Sequence, residues 1–157
     1  MLPHDCMLCG DSGASSALCN SCHRALPWLP AERCPVCAVP SPGNAVCGAC
    51  LAEPPPFRGS RAALAYEFPV DALIQSFKYA GDLAVGEALG ELLRDAVREA
   101  PRPDALVPMP LHPARLRERG FNQALELARR LGRDLDLPVL AQACRRLRDT
   151  PPQASLP

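Results

Sequence analysis

The chain has 157 residues and equal numbers of basic and acidic side chains, 17 of each, so its formal net charge is zero. That balance gives no general push toward nucleic acid, and the length allows one domain or a small domain with part of another. Nineteen prolines, against a usual share of about 5%, mark a stiffened, loop-rich chain rather than a disordered one.

The first segment, MLPHDCMLCG, has no apolar run of signal-peptide type, so no signal peptide is expected. The longest uncharged run, from Cys34 to Ala52, is interrupted by Pro35, Pro40, Pro42, Gly43 and Gly48 and does not read as a membrane span. The expected compartment is the cytoplasm, where paired cysteines are more often metal ligands than disulfides.

Eight of the nine cysteines form four C-x2-C pairs: Cys6/Cys9, Cys19/Cys22, Cys34/Cys37 and Cys47/Cys50. The pattern C-x2-C-x9-C-x2-C occurs twice, offset by 28 residues, which is an internal repeat. One C-x2-C knuckle puts two thiolates on a metal, and a second closes a tetrahedral four-sulfur shell. The spacing therefore predicts two structural Zn2+ sites with no position left for water, which excludes catalysis at zinc. A redox C-x-x-C would need a thioredoxin-like βαβ setting, and none precedes these pairs. Sequential sites would group the first two pairs and then the last two. A cross-brace would group the first pair with the third and the second with the fourth. The repeat favours the sequential arrangement, because each unit is complete in itself. His4 and His23 read as surface or neighbouring imidazoles, since eight thiolates already fill two sites. Without a histidine ligand in the second or third pair, the array does not match the usual RING pattern. Trp28, the single tryptophan, reads as packing between the two units, since few cations crowd it.

Pro54-Pro55-Pro56 marks a stiff spacer. The expected organisation is a double zinc ribbon over 1–53, a proline-rich linker over 54–60 and an α/β segment over 61–157. Leu64, Tyr66 and Phe68 alternate as in a short strand. Val70, Leu73, Ile74 and Phe77 form one helical stripe. Gly81 should stop that helix and Asp82 cap the next, whose buried face is expected at Val85, Leu89, Leu92, Leu93, Ala96 and Val97. Lys78, the one lysine among sixteen arginines, lies beside this turn, where it could reach an anion. Composition alone favours the plainer reading of a solvated helix end.

Ala105-Leu106-Val107 is the apolar run of a buried strand, which Pro108 and Pro110 should end. A loop follows with His112, Arg115, Arg117 and Arg119, and a helix opens at Gly120-Phe121 and ends near Leu137-Pro138. Strand, polar loop, helix is the arrangement in which open α/β sheets place ligands. Arginines in such a loop point to an anion of the phosphate type. Val139-Leu140 is a candidate strand, and the lone Cys144 reads as a packed thiol.

Several short motifs accompany the cysteine module: S-F-K-Y at Ser76–Tyr79, V-P-M-P-L at Val107–Leu111, R-G-F-N-Q at Arg119–Gln123 and T-P-P-Q at Thr150–Gln153. In this order they resemble the ComF family over essentially the whole chain. The resemblance implies a double zinc ribbon before a type I phosphoribosyltransferase domain, and an association with competence for DNA uptake. It implies phosphoribosyl pyrophosphate with Mg2+ as ligand, and a pyrophosphate or similar anion held near Lys78, Pro110, Leu111, His112, Arg117, Arg119 and Gln123. Single-stranded DNA or a competence helicase is the implied partner.

Such transferases hold the 5-phosphate of their donor in a loop after two acidic residues and T-T-G-x-T. Neither feature occurs in these 157 residues. The expectation is therefore an incomplete α/β domain, matching the first two-thirds of a family member and inactive alone as a transferase. The competing expectation is a binding module, in which the ribbons contact DNA or a competence partner and the α/β part is a non-catalytic scaffold.

Overall fold

A computed structural model describes residues 4–14 and 16–150. The side chain of His4 and residues 151–153 of the T-P-P-Q motif lie outside the described part. Two compact units emerge. One holds the chain up to Leu73 together with Glu91–Ala100; the other holds Ile74–Gly90 with the chain from Pro101 onward.

The first unit begins with a two-stranded antiparallel sheet, β1 (His4–Asp5) and β2 (Ser12–Ala14). The chain between them makes a knuckle: Cys6 N–H donates to the Asp11 carbonyl at 2.9 Å, and Gly10 N–H donates to the Cys6 carbonyl at 2.8 Å. Gly10 takes φ +72°, in the left-handed region that glycine adopts without steric cost. Helix α1 (Asn20–Arg24) follows, with Cys19 as its extended N-cap.

Twenty-eight residues further on, the second knuckle repeats these bonds: Cys34 N–H to the Val39 carbonyl at 2.8 Å and Ala38 N–H to the Cys34 carbonyl at 2.9 Å. Ala38 occupies the place of Gly10 and takes φ +64°. Helix α2 (Gly48–Ala52) corresponds to α1, with Cys47 as N-cap. The second unit of the repeat has one antiparallel bridge, Arg33 with Pro40, instead of a strand pair. Pro40 has no N–H to extend a ladder. Side chains close the loop instead: Arg33 N–H donates to Asn44 Oδ1 at 3.0 Å, and Gly43 N–H to the Glu32 carboxylate at 3.1 Å.

The three expected strands are reduced to single bridge residues. Leu64 bridges Trp28, and the strand goes no further. Tyr66 and Phe68 are 64% and 81% exposed, so their alternation marks no buried face. A run of period two forms a strand only where a partner edge runs alongside it, and Trp28 offers one residue flanked by Pro27 and Pro30. Trp28 donates Nε1–H to the His23 carbonyl at 3.0 Å and sets its ring 5.0 Å from that imidazole.

The helical expectations hold better. Helix α3 (Val70–Gln75) carries the buried Val70 and Leu73 and continues into a wider π-helical turn, Ser76–Ala80, that buries Phe77. Gly81 ends it at φ +69°. Asp82 Oδ1 then accepts from the N–H groups of Ala84 and Val85 at the start of α4 (Leu83–Val97). Along α4 Val85, Ala88 and Leu92 are buried, while Leu89, Leu93, Ala96 and Val97 are half-buried. Gly86 lies under Phe77: a Cβ there would come within 2.5 Å of the ring.

In the second unit the Ala105–Val107 strand is also reduced to one bridge, parallel, between Leu106 and Val139. Leu106 N–H donates to the Pro138 carbonyl at 2.8 Å and Leu140 N–H to the Leu106 carbonyl at 2.9 Å. Pro103, Pro108, Pro110 and Pro138 leave too few N–H groups nearby for a longer ladder. The loop expected between strand and helix is itself helical: α5 (Pro113–Arg119) starts with proline, which suits a first helical residue, and ends at Gly120 with φ +83°. The following helix, α6 (Gln123–Leu135), begins three residues later than Gly120, because Gly120 caps α5 and Asn122 Oδ1 caps α6 through Ala124 N–H at 3.0 Å. Ala128, Leu131 and Gly132 form its buried face. Among the described residues no helix is long and apolar enough to cross a membrane.

Candidate functional site

The ligand sulfurs are brought together by the repeat. The Sγ atoms of Cys6, Cys9, Cys19 and Cys22 lie within 4.8 Å of one another, and so do those of Cys34, Cys37, Cys47 and Cys50. The grouping is sequential, not cross-braced. Four thiolates at a Zn–S distance of about 2.3 Å in a tetrahedron stand about 3.8 Å apart. The Cys9–Cys19 and Cys37–Cys47 sulfurs are 3.7 and 3.6 Å apart, so the donor set and its size fit zinc.

The surrounding backbone prepares the charge. Cys19 N–H donates to Cys6 Sγ at 3.3 Å, and Cys47 N–H to Cys34 Sγ at 3.4 Å. N–H donors favour a thiolate over a thiol. They hold the Cys6 thiol down to about 6, the Cys19 N–H contributing most. Cys34 is likewise lowered to about 6, chiefly by the N–H groups of Cys37 and Cys47. The opposite members are held neutral. Neighbouring thiols, Cys9 first, push Cys22 up to about 12, and burial does the same to Cys50. Each cluster therefore pairs a ready thiolate with a thiol that gives up its proton when a cation arrives.

The residues expected at an anion site are placed as follows. Lys78 is half-buried on the Ser76–Ala80 turn. Pro110, Leu111 and His112 are half-buried before α5, and His112 Nδ1 accepts from Ala114 N–H at 3.4 Å as its cap. On α5 residues four apart share a side and residues two apart do not. Arg115 and Arg119 thus share one side of the helix, and Arg117 points away from both. Arg115 pairs with Glu118 at 2.9 Å. Arg117 and Arg119 have no ion pair among the described residues. Gln123, first residue of α6, is 8% exposed, and its Nε2 has no hydrogen-bond partner among the described residues.

Two features were not visible in the sequence. The Arg119 guanidinium lies over the Tyr79 ring, 5.2 Å from its centroid. Asp149 sits 3.7 Å from His112 Nδ1 and 3.8 Å from Arg115 Nε. The S-F-K-Y motif contains Tyr79, but only the turn geometry brings it to Arg119. Asp149 carried no signal at all.

Two sequential four-thiolate clusters on paired knuckles define a double zinc ribbon, and residues 1–51 match the family model described as a double zinc ribbon domain. Similarity extends well past the ribbons. The chain is 33% identical over 150 residues to Competence protein F of Haemophilus influenzae, covering 91% of this chain and 65% of that protein. It is 32% identical over 164 residues to DNA utilization protein YhgH of Salmonella typhi, covering 99% of this chain and 72% of that protein. Competence protein ComFC of Bacillus subtilis is 30% identical over 132 residues, with 78% and 55% covered. No solved structure matches the chain. The chain belongs to the ComF family, and it spans about two-thirds of the length of the first two of these relatives.

Proposed function

We propose that the chain serves in DNA uptake and utilization, the role that its relatives' names carry, with two structural zinc ions in the ribbons and an anion site in the segment beyond them. The anion is the pyrophosphate group of phosphoribosyl pyrophosphate, accompanied by Mg2+. Lys78, Arg119 and Gln123 are its donors, beside Pro110, Leu111 and His112, whereas Arg117 faces another side of α5 and falls outside the site. One observation carries the site: the Gln123 Nε2 donor, buried without a partner among the described residues at the start of a helix of 13 residues. A buried donor left unsatisfied costs about 1–3 kcal/mol, and an oxyanion at the positive end of a helix would remove that cost. The parallel Leu106–Val139 bridge, joined through α5 and α6, supports reading 61–157 as the first part of a type I phosphoribosyltransferase-like α/β domain, since parallel pairing with a helical crossover is the βαβ unit. The ribbon unit is the candidate contact for single-stranded DNA or a competence helicase, in keeping with the names of the relatives.

Titration of the zinc-loaded chain with pyrophosphate and Mg2+ tests the site. Arg119→Ala should weaken binding by about tenfold or more, since a hydrogen bond to a charged group contributes about 1.5–3 kcal/mol. No base-dependent pyrophosphate release is expected from these 157 residues, which lack an acidic pair and T-T-G. Affinity unchanged in Arg119→Ala would reduce this arginine to a solvated face.

A further inference from the structure

Arginines of the second unit are held in different ways. Arg115, Arg129 and Arg130 are engaged by carboxylates, at 2.9, 2.8 and 2.8 Å from Glu118, Glu126 and Asp134. Arg119 is engaged instead by a ring, its guanidinium carbon 5.2 Å from the Tyr79 centroid, and has no ion pair among the described residues. The difference matters for ligand binding. A carboxylate takes up the in-plane N–H groups and neutralises the charge. An aromatic face meets the guanidinium from its flat side, leaving the charge and the in-plane donors open.

We propose that Tyr79 is a positioning residue that fixes the Arg119 guanidinium for a bidentate oxyanion while leaving its donors unspent. This rests on the anion-site reading above and assigns a residue which that reading does not include. The support for Tyr79 is itself built in. Phe77, 2% exposed, anchors the Ser76–Ala80 turn, and its ring lies 5.5 Å from Phe121, two residues past Arg119. Gly81 leaves the turn at φ +69° and approaches Phe121, with a Cβ there 3.9 Å from the ring. The turn bearing Lys78 and Tyr79 is thereby docked against the turn that ends α5. Arg119 is the last residue of that helix, so its long side chain would otherwise sample many rotamers. A ring that holds it removes that ordering cost from the binding step.

The test uses the zinc-loaded 157-residue chain with inorganic pyrophosphate as probe, and two readouts. The Arg119 Nε–Hε resonance should show a ring-current shift that survives in Tyr79→Phe and disappears in Tyr79→Leu. Pyrophosphate affinity should fall about two- to fivefold in Tyr79→Leu, the range for an exposed cation–π contact, and stay near the parent value in Tyr79→Phe. In an Arg119→Ala background Tyr79→Leu should have no further effect. Tyr79 is 70% exposed, so its truncation leaves no cavity, and an unchanged helical circular-dichroism signal checks the fold. If Arg119→Ala weakens binding and Tyr79→Leu does not, the positioning role is wrong and the anion site stands. Further loss from Tyr79→Leu without Arg119 would also overturn it. If neither substitution changes affinity, the anion site itself fails and the positioning role fails with it.

Discussion

The two ribbons reach the same four-sulfur geometry from different surroundings. In the first, β1 and β2 pair beside the knuckle, and glycine fills its left-handed position at Gly10. In the second, Pro40 stops the pairing, Ala38 takes the left-handed position, and Asn44 and Glu32 side chains close the loop. Yet the N–H to sulfur bonds are 3.3 and 3.4 Å, and the bridging sulfur pairs stand at 3.7 and 3.6 Å. What they share is local: two C-x2-C turns, nine residues between them, and a cysteine N-cap that turns its N–H onto the first sulfur. The ligand shell is thus set by the knuckle and the cap, and the sheet is an accessory. Metal then supplies the order that such small units cannot draw from a core.

The comparison breaks most sharply if zinc is withdrawn. Structural zinc contributes about 10–16 kcal/mol of apparent binding energy per site at neutral pH, which becomes folding energy. Chelation should therefore unfold both ribbons, despite the strand pair in the first, as followed by amide signals of residues 5–12 and 33–40. Persistence of the first ribbon alone would mean that its sheet, and not its metal, holds it.

Acidification comes next in size. Cys6 and Cys34 are both lowered to about 6 from an ordinary 9.0. A lowered thiol pKa adds stability above the unfolded value and loses it as pH falls through the folded one. In both ribbons the range concerned runs from about 9 down to about 6. With metal, affinity should fall throughout this range, because Cys22 and Cys50, raised to about 12, must each release a proton on binding. Below about 6 the fall should steepen. Zinc-binding isotherms against pH, read separately for each ribbon in single-site variants, should run parallel; divergent slopes would show that the cap bonds are not equivalent.

The smallest effect sharpens the comparison at one residue pair. Gly10→Ala should cost less than about 1 kcal/mol, the left-handed penalty of a side chain reduced by the unfolded-state entropy that alanine removes, since a Cβ there meets nothing within 4 Å. Ala38→Gly should stabilise by less than about 1 kcal/mol, because relief of the same strain is offset by glycine's larger unfolded-state entropy. Thermal midpoints of zinc-loaded protein would read both, and equal signs would show that the two positions are not equivalent.

These contrasts explain what could be read in advance. The ligand sets and their sequential order follow from contiguous spacing, so a 28-residue repeat displayed them without any three-dimensional information. The Gly81 stop and the Asp82 cap were equally local. The strands failed because pairing depends on a partner edge that prolines can remove, as at Pro40, Pro108 and Pro138. The segment holding His112 to Arg119 looked like a loop because of its charges, yet Pro113 in a first turn and Gly120 at the end are helix boundaries. Treating it as a loop hid the helical period that puts Arg117 on a different side from Arg119. Tyr79 over Arg119 joins residues forty apart, which no spacing rule reaches.

The most direct test of the paired-ribbon arrangement is zinc content in single-cysteine variants. The parent chain, purified without added metal, should carry two zinc ions. Cys6→Ser should carry one and keep residues 34–50 ordered; Cys34→Ser should carry one and keep residues 6–22 ordered. Loss of both ions from either substitution, or fewer than two in the parent, would contradict two independent sequential centres.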